Sequence, residues 1–179
     1  ICCDPKAFTH TNPLHGLQPG GAFLWESDQA AQGAWERIPK KYRKELIDKK
    51  IRIYTLQGFD IAKKDTTRAE LQFRMQGNAF LGAFFKVSSF LEDYKIQSDE
   101  FLKLVEAQYQ KKFGKLGEAV VQSNMVVMKQ GFETVREIPY GDINAPDHSG
   151  MRGSPLLPCS EHKAEMSFES DAREAERGG

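Results

Sequence analysis

The sequence has no excess of either charge. Lys plus Arg number 25 and Asp plus Glu number 25. A neutral chain lacks the basic footprint that nucleic acid or an anionic membrane surface would select. Long apolar runs are also missing. No stretch of about 18 uncharged apolar residues occurs, so no membrane-spanning helix is read. No basic segment leading into an apolar core opens the chain, so no signal peptide is read either. Cysteine is scarce, at three residues: Cys2, Cys3 and Cys159. Adjacent Cys2 and Cys3 are not expected to pair with each other, and three thiols make no disulfide framework. The C-x-x-C spacing of a zinc site and the four thiolates of an iron–sulfur cluster are both lacking. The thiols read as reduced, two in a buried strand and one in a tail. These absences fit a cytoplasmic protein or subunit.

The 179 residues, 40% apolar and 28% charged, give room for one globular domain with an appendage. The opening Ile1-Cys2-Cys3-Asp4-Pro5 reads as the end of a buried strand entered halfway, a short apolar run stopped by Asp-Pro. The fold is therefore expected to begin upstream, the chain being a fragment or its missing half lying on another chain. Residues 6–21 read as loop with a helical turn, interrupted by Pro13, Pro19 and Gly20-Gly21. Ala22 to Trp25 reads as a strand. Ile38 to Lys49 reads as a helix with Pro39 in its first turn and an apolar stripe of Ile38, Tyr42 and Leu46. Ile51 to Leu56 alternates like a strand. Strand, helix and strand with short connections predict a β-α-β unit and a parallel sheet.

Beyond this the chain turns helical. Gly58 to Lys64 is a short helix, and Thr67 with Glu70 is a capping-box pair opening a long helix to about Phe90. Small residues Gly77, Ala79, Gly82 and Ala83 lie within it, allowing a neighbour close approach. Two more helices are expected, from Ser98 to Gly114 and from Glu118 to Glu137. Prolines and glycines then recur, and a boundary is placed near Ile138: residues 1–138 form the domain, and 139–179 an irregular, extended tail or linker suited to wrapping a partner subunit.

Catalytic signatures are few. The four histidines, His10, His15, His148 and His162, all fall in segments read as loops, and no G-x-S-x-G elbow occurs. No catalytic residue is assigned. His10 with His15, and Cys159 with His162, lack the companions a metal site needs, so no metal is assigned. Gly20-Gly21 precedes a strand, whereas a dinucleotide loop follows a strand and opens a helix; it reads as a turn. Gly114-Lys115-Leu116-Gly117 could meet an anion at a helix start, but reads first as a helix–helix connection.

The richest segment runs from Arg74 to Lys86, where Arg, Gln and Asn lie among small and aromatic residues. Gln76-Gly77-Asn78-Ala79-Phe80-Leu81-Gly82-Ala83-Phe84-Phe85-Lys86-Val87-Ser88 resembles the "QGAFFK" region of the γ domain of pyruvate:ferredoxin and related 2-oxoacid:acceptor oxidoreductases. Other stretches resemble that domain in the same order. Leu17 to Leu24 is similar to its L-x-x-G-G turn and strand, Ile38-Pro39 to Ile53-Tyr54 to its helix, turn and strand, and Phe113 to Glu118 with Asn124 to its helix start. The likeness spans Ile1 to Glu137. It departs at Asp65 to Phe73, which is longer and more polar, and the γ domain's glycine-rich first half has no counterpart.

The resemblance implies an α/β, Rossmann-like three-layer domain, present as its C-terminal half. It implies membership of large enzymes with thiamine diphosphate and iron–sulfur clusters that oxidise a 2-oxoacid to acyl-CoA and pass electrons to ferredoxin or flavodoxin. The γ domain holds neither thiamine diphosphate nor a cluster by itself and contributes to the coenzyme A site. On that reading Gln76, Asn78, Phe80, Phe84 and Phe85 are expected at a contact with other subunits. Arg74 or Lys86 is expected to meet CoA phosphates, which need a cation or N–H donors. The alternatives are a free-standing Rossmann-like nucleotide-binding protein, which needs a phosphate loop, and a non-enzymatic scaffold.

Overall fold

Alternation of large apolar residues along two short strands builds the centre of the fold. The computed structural model describes residues 1–29, 31–65 and 69–150. Strand β1 (Ala22–Glu26) pairs in parallel with β2 (Arg52–Leu56), from Ala22↔Arg52 to Glu26↔Leu56. Successive side chains leave a strand on opposite faces. Phe23, Trp25 and Ile53 therefore pack on one side with Trp35, Ile38 and Leu46 of helices α2 (Ala31–Arg37) and α3 (Lys40–Asp48) and the bend between them. Leu24, Tyr54 and Leu56 face the other way. They meet Ile61, Met75, Ala79, Phe80 and Val127 of α4 (Gly58–Asp65), α5 (Ala69–Val87) and α8 (Glu118–Thr134). Helices thus cover both faces of a small sheet, the expected α/β, Rossmann-like arrangement.

The remaining helices add to the two faces. Helix α1 (Ala7–His10) sets Phe8 edge-on to Phe23 and Trp25 at 5.7 and 5.3 Å. Helices α6 (Phe90–Asp93) and α7 (Ser98–Phe113) extend the second helical layer. Phe101 and Tyr109 of α7 form a further cluster with Val121 and Met128, against which Phe85 packs. A 3-10 turn, Gly114–Leu116, joins α7 to α8. No helix among the described residues is long and apolar enough to cross a membrane.

Several expectations are revised. The sheet is mixed: β3 (Arg136–Ile138) runs antiparallel to β2, with Ile53 opposite Ile138. The last helix stops at Thr134, because Val135 adopts φ −57° and ψ 138° and turns the chain into β3. The helix expected from Ile38 to Lys49 is α3, which starts at Lys40 with Pro39 as its N-cap, where a missing N–H costs nothing; α2, just before it, was not expected. The cysteine pair does not lie in a buried strand. Cys2 makes one parallel bridge to Trp25 and is half-buried, and Cys3 is exposed. The Thr67 capping box and residues 151–179, with Cys159 and His162, lie outside the described residues.

Residues 139–150 run as a strap across α2 and α3. The buried Arg43 guanidinium donates to the carbonyls of Ile143, Ala145 and Pro146 at 3.2, 2.5 and 2.6 Å, and to those of Ile38 and Glu36. Trp35 Nε1 donates to Asp142 O at 2.8 Å, and the Tyr140 hydroxyl donates to Ile51 O at 2.8 Å. The boundary expected near Ile138 therefore falls within hydrogen-bonded structure.

Helices α5 and α8 cross at two glycines. A Cβ at Gly82 would overlap the Met128 carbonyl oxygen, and a Cβ at Gly131 would overlap the Ala79 carbonyl oxygen. Each glycine faces the other helix's backbone. The small-residue motif of α5 is thus used inside this chain.

Candidate functional site

Helix α5 carries every candidate residue the sequence singles out, and its periodicity distributes them over different surroundings. Towards its start, Gln76 is buried and its Nε2 donates to Glu26 Oε2 at 2.9 Å and to Cys3 O at 3.1 Å. Glu26 ends β1, is 6% exposed, and accepts the Phe59 N–H at 3.3 Å at the start of α4. Burial pushes its carboxyl up to about 7, against the pull of hydrogen bonds from Gln76 and from the Phe59 and Gly58 N–H groups. The carboxyl fills the anion position at the N-terminus of α4. The turn from β2 into α4 is therefore capped from within the chain by the Glu26 carboxyl.

Two residues further on, and so on the opposite side of α5, Asn78 joins three helices. Its Nδ2 donates to Asn124 Oδ1 of α8 at 2.5 Å, and the Tyr109 hydroxyl of α7 donates to its Oδ1 at 3.1 Å. Asn124 Nδ2 in turn donates to Val120 O at 2.7 Å. Burial raises the Tyr109 hydroxyl to about 12, so it stays a proton donor. Both carboxamides line a cleft of about 600 Å³ between α5, α7 and α8. Arg74 and Lys112 line it as well, with Phe113 and Leu116.

Among the other candidates, Phe80 is buried in the core of this chain, where it packs with Leu24, Tyr54 and Met75. Phe85 is half-buried and touches Phe84, Phe90 and Phe101 at 5.3, 5.4 and 4.5 Å between centroids. Phe84 remains 37% exposed. Phe73, Gly77 and Leu81 share its open face at helical spacing, with Phe73 67% exposed. Arg74 and Lys86 do not meet. Twelve helical residues separate them, about 18 Å along the axis, and Lys86 Nζ sits over the Phe132 ring at 5.2 Å. At most one of them can serve a given phosphate group.

The loop signals resolve as connections. Gly20 adopts φ 75° and receives a place in the turn through its N–H to Lys49 O, while Arg52 N–H donates to Gly21 O. At the α7–α8 connection Glu118 already stands in the first turn of α8, accepting from Gln110 and Gln122. His10 and His15 are exposed, and no group of three or more His, Cys, Asp or Glu converges among the described residues. Those residues do not fit an iron–sulfur cluster, since Cys2 and Cys3 are adjacent and lack two further thiolates.

Sequence reasoning missed Glu26, Tyr109 and Lys112. The signal for Glu26 was an acid closing the apolar run Ala22 to Trp25. Tyr109 and Lys112 carry no local signal, because they reach the site only through helix packing.

Comparison with known proteins matches residues 1–134 to the family described as Pyruvate ferredoxin/flavodoxin oxidoreductase. The "Pyruvate:ferredoxin oxidoreductase" of Moorella thermoacetica (strain ATCC 39073 / JCM 9320) is 27% identical over 139 residues, covering 78% of this chain and 11% of that protein. The "Probable pyruvate-flavodoxin oxidoreductase" of Escherichia coli (strain K12) is 28% identical over 136 residues, covering 76% and 11%. The "Pyruvate-flavodoxin oxidoreductase" of Trichormus variabilis (strain ATCC 29413 / PCC 7937) is 23% identical over 159 residues, covering 88% and 12%. The chain spans about a tenth of the length of these curated relatives.

Proposed function

We propose, from the premise that this chain belongs to the pyruvate ferredoxin/flavodoxin oxidoreductase family, that it is a non-catalytic γ component of a larger cytoplasmic 2-oxoacid:acceptor oxidoreductase. In that role it packs against other parts of the enzyme and supports oxidative decarboxylation of a 2-oxoacid to acyl-CoA. Thiamine diphosphate and the iron–sulfur clusters belong to those other parts, which supply the electron transfer to ferredoxin or flavodoxin. This chain supplies shape and contact surface.

The observation that carries the reading is the open face of α5. Phe73, Leu81 and Phe84 are each exposed by more than a third, and Gly77 between them has nothing within 4 Å of where a Cβ would stand. Exposed large apolar residues in a contiguous stripe mark an interaction surface. Arg74 is the better placed of the two candidate CoA contacts, because it makes no hydrogen bond or ion pair among the described residues, whereas Lys86 is engaged over Phe132.

Co-expression with the remaining regions of the oxidoreductase tests the assignment. The wild-type chain should co-purify with a brown, iron-containing complex, and Phe84→Asp should abolish that association, because a charge would be buried unpaired at the contact. The isolated variant should keep its fold, since Phe84 is exposed. Undiminished assembly of Phe84→Asp would remove the interface from α5.

A further inference from the structure

The cleft between α5, α7 and α8 has a second chemistry beyond packing. Its volume of about 600 Å³ lies within the range of small-molecule sites, which are mostly apolar with a few converging polar groups. Phe113, Leu116 and Val120 supply the apolar wall, and Leu116 is 68% exposed although it is a large aliphatic residue. Arg74 and Lys112 supply two cations, and no carboxylate stands among the described side chains of the lining. Neither cation forms an ion pair among the described residues; Lys112 Nζ rests over the Phe113 ring at 5.1 Å. At the polar end, Asn124 Nδ2 carries two N–H groups and spends one on Val120 O, which leaves a donor. The Tyr109–Asn78–Asn124 chain fixes the orientation of both carboxamides.

From this combination we infer that the cleft binds a small amphipathic anion: an aromatic or branched aliphatic group seated on Phe113, Leu116 and Val120, carrying one carboxylate held by Arg74 and Lys112. The guanidinium takes the carboxylate in a bidentate pair and the ammonium adds a second charge. A cationic ligand would meet two like charges, and a neutral one would leave both cations without a partner. The inference goes beyond the packing role and does not depend on it, since every residue it uses lies on this chain and away from Phe84; at Arg74 it replaces the CoA contact, giving the guanidinium to a carboxylate and not to a phosphate.

Titration of the full chain with indole-3-acetate by calorimetry, alongside ¹H–¹⁵N spectra of the side-chain carboxamides, tests it. Indole-3-acetate should bind saturably and shift the Asn78 and Asn124 NH2 signals. Indole-3-acetamide and tryptamine should each bind at least tenfold more weakly. Arg74→Ala with Lys112→Ala should reduce affinity at least tenfold with unchanged thermal stability, both side chains being exposed. Leu116→Glu should abolish binding. The inference is overturned by equal binding of the acetate and the amide, by an unaffected double variant, by shifts confined to other residues, or by no saturable binding at millimolar concentration. Preferential binding of adenosine 3′,5′-bisphosphate would overturn it as well, since it would identify a nucleotide site.

Discussion

Glu26 and Arg43 are buried ionisable residues held by different partners. The Glu26 carboxyl is pushed up to about 7 from an ordinary value of 4.5. A raised carboxyl value means that the folded state holds the proton more tightly than the unfolded chain. The associated stability is fully present below pH 4.5 and is lost as pH rises through about 7. That loss is at most about 3 kcal/mol for a shift of this size. Glu26→Gln should flatten stability between pH 4.5 and 7 and leave the variant more stable than wild type at pH 8, as read from urea unfolding midpoints at the two pH values. Arg43 instead satisfies five main-chain carbonyls. Arg43→Met keeps volume but strands these acceptors, and should cost about 3 kcal/mol or more in the same unfolding experiment. Neither residue was legible in the sequence. A lone Glu after an apolar run and a lone Arg in an amphipathic helix ordinarily point to solvent, and here it is distant chain that covers them.

Among the elements, the contrast between glycines is a sharp test. Gly82 and Gly131 stand against opposing backbone, whereas Gly77 lies in the middle of α5 facing open space. Gly82→Ala should destabilise the chain by about 3 kcal/mol, since backbone carbonyls cannot rotate away as side chains do. Gly77→Ala should stabilise it by up to about 1 kcal/mol through helix propensity. Thermal unfolding of the two variants decides both. The strands β1 and β2 were readable, β1 as a short apolar run after the Gly20-Gly21 turn and β2 from the alternation in Ile51 to Leu56. Strand β3 was not, because its three residues include exposed Arg136 and Glu137 and continue a helical run without a breaker. Helix α2 escaped because it is short and holds glycine at Gly33.

At the scale of the whole molecule, the strap 139–150 is part of the folded unit. Truncation after Ile138 removes three of Arg43's acceptors and the Asp142 carbonyl that receives Trp35. The shortened chain should unfold at a lower temperature than Arg43→Met, as followed by circular dichroism. Proline and glycine content made this stretch resemble a linker, because its anchoring is through main-chain carbonyls and leaves no apolar period. The Arg74 to Lys86 motif was recognisable, but its division of labour was not. Ala79, Phe80, Gly82 and Ala83 meet the chain's own sheet and α8, while Phe73, Leu81 and Phe84 look outward. The cleft draws on residues from Arg74 to Asn124, which packing alone assembles.

The backbone-on-backbone crossing of α5 and α8 acts as a gauge block. No cushioning side chain stands between Gly82 and Met128 O or between Gly131 and Ala79 O, so the interaxial distance is set by main-chain radii. The same two helices bear Arg74 and Asn78 on one side of the cleft and Val120 and Asn124 on the other. A single methyl added at the crossing would prise the helices apart and spread the aperture that Asn78 and Asn124 close, changing which molecules fit without touching any residue that would contact them.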